Sequence, residues 1–527
     1  SNERYQALFA LSGSQLRDHF LDGAPDKVVA FCDALDDDEL GDLVTNLGGH
    51  DLGLLLDSYQ ECDEVSDRPS IVFAYTVKGW GLPIAGDPMN HAALLSRQQI
   101  ADLRADVGLD EQTEWDRFDT DSPEARICAS VGGEMNNPEP VGTPSIDLPA
   151  SASPPLSRPV STQETFGRVL AALADAPDGR RIVTTSPDVS ISTNLGAWIN
   201  KVGVFAPEEV DDPLAESRVL KWRQGPTGRH IELGISEMNL FLMLGALGMS
   251  HDHHGELLLP VGTVYDPFVC RGLDALIYAL YSGARFVVAG TPAGITLAPE
   301  GGAHQSTITP SIGLELPGLA YCEPSYGQAV DWLLCDGLTK LAETDGTSLY
   351  LRLSTRSIDQ APFAAATERL GPGIRADVLA GGYRLRDPDR PADVVLATCG
   401  AVTPEVLAAA DRLDKEGVSA TVLDLTSPDR LFQGWRGSLR DAASAATLPT
   451  ADHHLDHMLL RRERTLPIVT VHDGASYALA WLGSVYGQRV VPVGVDEFGQ
   501  SGSLEELYDV FGLLPDQIVN AALVALA

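Results

Sequence analysis

Glu237 stands where the strand text HIELG gives way to the apolar helix Met238 to Leu247. Phe268 follows the next strand, in Tyr265-Asp266-Pro267-Phe268, with Arg271 three residues on. Ligands of open α/β sheets bind at the carboxyl ends of the strands, so a carboxylate and an aromatic cluster fall at two successive ligand-facing positions. A carboxylate partly desolvated by Met238, Leu240 and Phe241 suits proton transfer. His304 lies between glycines and a glutamine in Glu300-Gly-Gly-Ala-His-Gln-Ser, and His91 in the loop Gly86-Asp-Pro-Met-Asn-His-Ala-Ala-Leu. Imidazoles change charge near neutral pH and suit acid–base work. Asp188 follows the strand RIVTTSPD, in Ser186-Pro-Asp-Val-Ser-Ile-Ser-Thr-Asn-Leu195. Taken singly, each has a bland reading: the macrodipole favours a glutamate at any helix start, aromatics near strand ends pack in cores, and loop histidines are solvated. Their order along the chain is what points to a site.

The elements that must position them alternate strand and helix. Residues 1–110 open with amphipathic helical text, then GGHDLGLLLDSYQEC, then the strand PSIVFAYTVKGWGLP, one αβ unit that reads as the tail of a domain. Residues 111–160 are rich in Pro, Ser, Asp and Glu without periodicity and read as a surface linker. A second domain, 161–375, begins with STQETFGRVLAALADA, whose Ser161 and Glu164 carry a helix-opening signal. It runs through strands RIVTTSPD, HIELG, RFVVAG and SLYLRLST. A third, 376–527, alternates strand and helix from ADVVLATCG onward, so the whole is an α/β chain with mainly parallel sheets.

A chain of 527 residues suggests about three domains. Its net charge of -37 excludes nucleic acid as a substrate, since no basic stripe is present to displace counterions from phosphates. Only six of its 37 basic residues are lysine. The seven cysteines are scattered without a CxxC pair, which fits a reducing cytoplasm. No signal peptide opens the sequence, and no run approaches the ~18 apolar residues of a membrane span, so a soluble protein is expected.

The ordered motifs resemble the thiamine-diphosphate enzymes of the transketolase and 2-oxoacid dehydrogenase type. The glutamate and phenylalanine are similar to the pair that, in the pyrimidine-binding domain of that family, bonds a ring nitrogen and stacks on the ring. The stretch SPDVSISTNL resembles the family's Ala-Asp, Ser-Asn-Leu signature, and GGAHQS its Gly-x-Thr-His-Gln turn. KGWG followed by Asn-His-Ala-Ala-Leu resembles its mobile histidine loop. The linker and GGHD look most like the homodimeric type of pyruvate dehydrogenase decarboxylating component, whereas SPDVSISTNLGAW leans toward transketolase. The resemblance implies a transketolase-like fold: the end of a diphosphate domain, a pyrimidine-binding domain and a transketolase C-terminal domain. It implies Glu237, His304 and His91 as catalytic, and Glu237, Phe268, Tyr265, Asp188 and Arg271 as cofactor-binding.

One departure bears on partners. The family holds its diphosphate through Mg²⁺ with Gly-Asp-Gly and an asparagine some thirty residues later, and no Gly-Asp-Gly occurs in this chain. The resemblance therefore implies thiamine diphosphate and Mg²⁺ held mainly by a companion subunit, in a homodimer or heterotetramer, unless that half has been removed. The expected reaction is decarboxylation of a pyruvate-like 2-oxo acid and transfer of the acyl or two-carbon unit, with a carrier or acyltransferase as a possible acceptor. The stretches flanking His304 and Thr355 mostly lack the clustered Arg and His of a sugar-phosphate grip; Arg352 and Arg356 are the exception and keep transketolase-type ketol transfer as the alternative. A non-catalytic partner subunit is the third reading. The clusters His251-Asp-His-His254 and His453-His-Leu-Asp-His457 lack zinc-motif partners and are read as structural or solvated, so no metal ligand is assigned to this chain. His472, after a strand in VTVHDGAS, ranks below the two loop histidines.

Overall fold

The computed structural model describes residues 2–135, 144–213, 222–448 and 453–527. The chain forms two compact units divided at residue 138.

The first unit is helical. Asn2–Leu8, Gly13–Leu21, Asp26–Cys32 and Asp37–Thr45 surround a small core of Leu8, Leu16, Cys32, Leu40 and Val44. Asp36 and Glu39 close a capping box on the last of these helices. Arg17 ties the layer together, pairing with Asp37 at 2.7 Å and donating to the Cys32 and Leu35 carbonyls. The expected strand PSIVFAYTV is extended but unpaired, and no strand occurs among the described residues of this unit. Ile71 is 76% and Phe73 91% exposed. A strand exists only when a neighbour accepts and donates along its backbone, and this unit offers none. The helix Pro123–Met135 is a second difference, inside the stretch expected to be linker.

The second unit holds two sheets. Eight strands form the first: β1 Ile182–Ser186, β2 Val204–Phe205, β3 Gln224–Gly225, β4 His230–Glu232, β5 Leu259–Val264, β6 Val287–Gly290, β7 Leu319–Cys322 and β8 Ser348–Arg352. Their order is β3-β2-β4-β1-β5-β6-β8-β7, with every pairing parallel. Both faces are covered, so β5, β6, β7 and β8 are buried throughout and read as continuous apolar runs. Ser161 caps the helix Thr162–Leu173 by accepting from the Glu164 N–H. The helix Glu237–Gly248 packs on β5 and on the helix Leu273–Tyr281 through Leu240, Phe241 and Leu244. Gly272 permits that contact, because a Cβ there would lie 2.7 Å from the Glu237 carbonyl oxygen.

The second sheet has β9 Tyr383–Arg386, β10 Val394–Thr398, β11 Ala420–Asp424, β12 Ile468–Val471 and β13 Val490–Val493 in the order β13-β12-β10-β11-β9. Only β9 runs antiparallel, against β11. The two sheets share one core, which Leu507, Tyr508, Ile518 and Ala522 complete. Those residues lie in Leu504–Leu526, which by length and composition alone is long and apolar enough to cross a membrane, contrary to the sequence expectation. The chain turns there, between the helices Leu504–Val510 and Pro515–Leu526, with Gly512 at φ 73°, and the buried faces of both helices join the protein core.

Candidate active site

The strand ends of the first sheet bring five expected residues together. Glu237 opens its helix after a short turn from β4, and its carboxylate is largely covered. Its Oε1 accepts from Arg271 Nη1 at 2.9 Å. The same guanidinium lies over the Phe268 ring, 3.6 Å from its centroid. Phe268 and Tyr265 have near-parallel rings 6.0 Å apart, and His304 sits edge-on to both, at 5.4 and 5.9 Å. His304 Nδ1 is buried and has no hydrogen-bond partner among the described residues. Of the expected desolvating neighbours, Leu240 and Phe241 are buried, but Met238 is 41% exposed.

Beneath this aromatic cluster lies a buried ionic hub that the sequence motifs did not assign. Asp266 accepts from Ser306, from Thr309 at 2.6 Å, from the Tyr350 hydroxyl and from Arg352 Nε at 3.0 Å. Arg352 also pairs with Glu323, whose other oxygen meets His472 Nε2 at 2.8 Å, and donates to the Asp473 carbonyl at 2.7 Å. Asp266 lies between Tyr265 and Phe268 in sequence, and Ser306 two residues beyond His304. One buried cation thus fixes both loops and joins them to the C-terminal sheet. Burial pushes the Glu323 carboxyl up, but Arg352 and His472 outweigh it and hold the group at about 2. Asp473 goes the other way, raised by burial to about 6 with Arg352 only partly offsetting it.

Glu323, Cys399 and His472 place potential ligand atoms within 4.8 Å of one another. Arg352 already supplies the positive charge there, and burial holds the Cys399 thiol well up, so the cluster is an ion-pair network.

Asp188 leaves β1 with φ at 63° and an exposed side chain. Its backbone N–H donates to Glu232 Oε1 at 2.8 Å. His91 belongs to the first unit, ending the turn Pro88–His91, where its exposed ring accepts at Nδ1 from Lys78 Nζ at 2.7 Å. Arg352 and Arg356, the two arginines that could have gripped a phosphate, are engaged elsewhere. Arg352 is buried in the hub, and Arg356 forms a two-pronged pair with Glu405 at 2.7 Å on each prong. His454 bonds the Gly382 carbonyl at 2.7 Å, a structural role.

The hub left a trace in the sequence. An arginine inside the apolar strand SLYLRLST needs a buried counter-charge. Glu323 had no such signal, because β7 pairs with β8 outside the run of motifs.

Parallel strands whose carboxyl ends gather a carboxylate, a stacked aromatic pair and an imidazole define an α/β ligand-binding enzyme scaffold. Residues 149–359 match the pyruvate dehydrogenase E1 component middle domain, and residues 381–514 the transketolase-like C-terminal domain. Both matches fall in the second unit, and the fold is the transketolase-like one expected from the motifs. It is 24% identical to the pyruvate dehydrogenase E1 component of Cupriavidus necator over 99% of this chain and 60% of that protein. A chromosomal transketolase of the same organism is 27% identical over 92% of this chain and 67% of its own length. Transketolase from Leishmania mexicana superposes with a TM-score of 0.63 at 19% identity, covering 90% of this chain and 64% of that one. The chain thus spans about 60% of the length of the pyruvate dehydrogenase relatives it matches from end to end.

Proposed function

We propose that this chain supplies the pyrimidine-binding and C-terminal domains of a thiamine-diphosphate enzyme that decarboxylates a pyruvate-like 2-oxo acid and passes the acyl or two-carbon unit to an acceptor. The observation that carries the reading is the pose of Arg271. A flat, donor-rich guanidinium stacks on Phe268 and donates to Glu237 at once, the two contacts an aminopyrimidine ring needs. The residues therefore fit the group. When bound, the cofactor supplies the carbon that adds to a carbonyl and stores the resulting negative charge.

The chain's own residues do the rest. Glu237 holds a proton against the ring nitrogen. Phe268 and Tyr265 set the plane of the ring. His304, with Nδ1 uncommitted, is the group that gives and takes a proton at a substrate oxygen. The Arg352 hub seals the floor beneath them against water. His91 is assigned the same kind of acid–base work from its own loop.

The preference for a 2-oxo acid over a sugar phosphate is supported by the commitment of Arg352 and Arg356 to carboxylates of the fold. A companion polypeptide with the Gly-Asp-Gly half, holding Mg²⁺ and the diphosphate, is supported by the unpaired apolar segment at residues 71–75. Seven consecutive apolar or β-prone residues, Ile71 to Val77, suit the interior of a parallel sheet that another chain provides. The test offers the reconstituted complex pyruvate, branched 2-oxo acids and ketose phosphates, following carbon dioxide release and ketol exchange separately. Carbon dioxide from a 2-oxo acid is the expected result. Ketol exchange without it would establish the transketolase alternative, which the 27% identity to a transketolase keeps open.

A further inference from the structure

Glu232, the last residue of β4, gathers three donors onto one carboxylate. Oε1 accepts from the Asp188 N–H at 2.8 Å, and Oε2 from Ser190 Oγ at 3.0 Å and His230 Nε2 at 3.3 Å. The sheet register puts them there, pairing Thr184 with His230 and Ser186 with Glu232 across β1 and β4.

The proton positions follow from what each partner can do. Trp198 Nε1 only donates, and gives its proton to Thr184 Oγ1 at 2.8 Å. Thr184 Oγ1 lies 2.9 Å from His230 Nδ1. A carboxylate only accepts, so His230 carries a proton on Nε2, and in the neutral ring Nδ1 then takes the Thr184 hydroxyl proton. The result is a one-way chain of hydrogen bonds from Trp198 to Glu232, of which Trp198, Thr184 and His230 are fully buried. Burial works against the Glu232 charge, but the bonds from His230 and the Asp188 N–H prevail and keep the carboxyl below its ordinary range.

The other end of this chain is a strained turn. Asp188 occupies the left-handed region at φ 63°, which a non-glycine residue holds only where its surroundings over-determine it. The bond that fixes it is the one to Glu232. Ser190 and the Ser186 hydroxyl, which accepts from the Val189 N–H at 3.3 Å, complete the turn.

We propose that Glu232 is a positioning residue of the active site: anchored by His230, it locks the Asp188 turn so that the exposed Asp188 carboxylate meets the ligand at a fixed place beside the strand ends. This rests on the reading of a thiamine-diphosphate site that Asp188 faces.

The test compares Glu232→Ala, Glu232→Gln, Asp188→Ala and Phe268→Ala in the full chain. Three measurements are made: hydrogen exchange of the peptide spanning residues 186–195, ¹⁵N chemical shifts of labelled histidine, and titration of the reconstituted complex with thiamine diphosphate and Mg²⁺. In Glu232→Ala the turn loses its acceptor, so exchange accelerates about tenfold or more and binding weakens about tenfold, matching Asp188→Ala. In Glu232→Gln the amide oxygen keeps the Asp188 N–H, and the amide N–H₂ turns toward His230. Exchange then stays slow while the His230 proton moves from Nε2 to Nδ1, a spectroscopic change that packing alone does not produce. This variant also answers the case in which the alanine chain does not fold. Unchanged exchange in Glu232→Ala overturns the proposal. So does faster exchange with undiminished binding, provided Phe268→Ala weakens binding. If the reconstituted complex ignores thiamine diphosphate with both the unsubstituted chain and Phe268→Ala, the cofactor reading fails instead, and the exchange and tautomer measurements decide the role of Glu232 by themselves.

Discussion

Arg271 joins Glu237 to Phe268: one guanidinium bonds the carboxylate at 2.9 Å and covers the ring at 3.6 Å. A ring that stacks on the same face must displace it. Arg271 is 55% exposed on its side chain, so breaking its ion pair costs little, about 0–1 kcal/mol. Arg271→Ala is expected to leave the melting temperature nearly unchanged and to speed association with thiamine diphosphate severalfold, read by stopped-flow fluorescence. Slower association would make Arg271 a direct cofactor ligand instead of a placeholder.

Glu237→Gln keeps the shape of the side chain and the contact with Arg271 but cannot exchange a proton. In the reconstituted complex, turnover should fall by about 10² to 10⁴ with the fold intact by circular dichroism. Phe268→Ala acts on affinity, because the stacking it provides is worth about 0.5–1.5 kcal/mol beyond buried area. Near-normal turnover in the glutamine variant would remove Glu237 from the chemistry.

Arg352 compensates two buried carboxylates, Asp266 and Glu323. Truncation to methionine leaves Asp266 without its counter-charge and Glu323 with His472 alone, at a cost of about 3–5 kcal/mol. Urea unfolding of Arg352→Met should show that loss, and substituting Glu323→Gln in the same chain should recover part of it, because the two residues share one interaction. Additive losses would show that the pair is not coupled.

How much of this was legible beforehand differs between the two units. In the second unit, β5, β6 and β8 are mainly apolar and β1 is rich in β-branched residues, with turn signals at their ends, so these runs and the motifs that follow them reveal the strands and the loops of Asp188, Glu237, Phe268 and His304. The contacts those loops make were not legible. Arg271 and Glu237 are 34 residues apart, and Asp266 and Arg352 are 86 apart, and pairing at such separation is set by strand order. Within HIELG nothing local marks Glu232 for its role, and only the register with β1 brings it to Asp188. In the first unit, PSIVFAYTV carries every local mark of a strand and forms none, because strand formation depends on a neighbour that local sequence does not encode.

Asp424, at the end of β11, gives the chain a pH dependence of definite sign. It is buried, and accepts from the Tyr383 hydroxyl at 2.6 Å and Ser325 Oγ at 2.9 Å. Burial raises its carboxyl to about 7, with the Glu323 charge adding to the rise and those two bonds opposing it. The folded chain therefore binds this proton more tightly than the unfolded chain does. Its contribution to stability is full below the unfolded value near 3.8 and is lost as pH rises through about 7. Asp473 and Asp429, each raised to about 6, work in the same direction. Asp424→Asn mimics the protonated acid, offering an acceptor oxygen and a donor amide group at every pH. Each tenfold gain in proton affinity on folding is worth on the order of 1.4 kcal/mol. Urea titrations should therefore find the variant and the unsubstituted chain alike at pH 4, with the variant more stable at pH 8 by a few kcal/mol. Stability curves that run parallel from pH 4 to pH 8 would show that Asp424 keeps its charge in the fold.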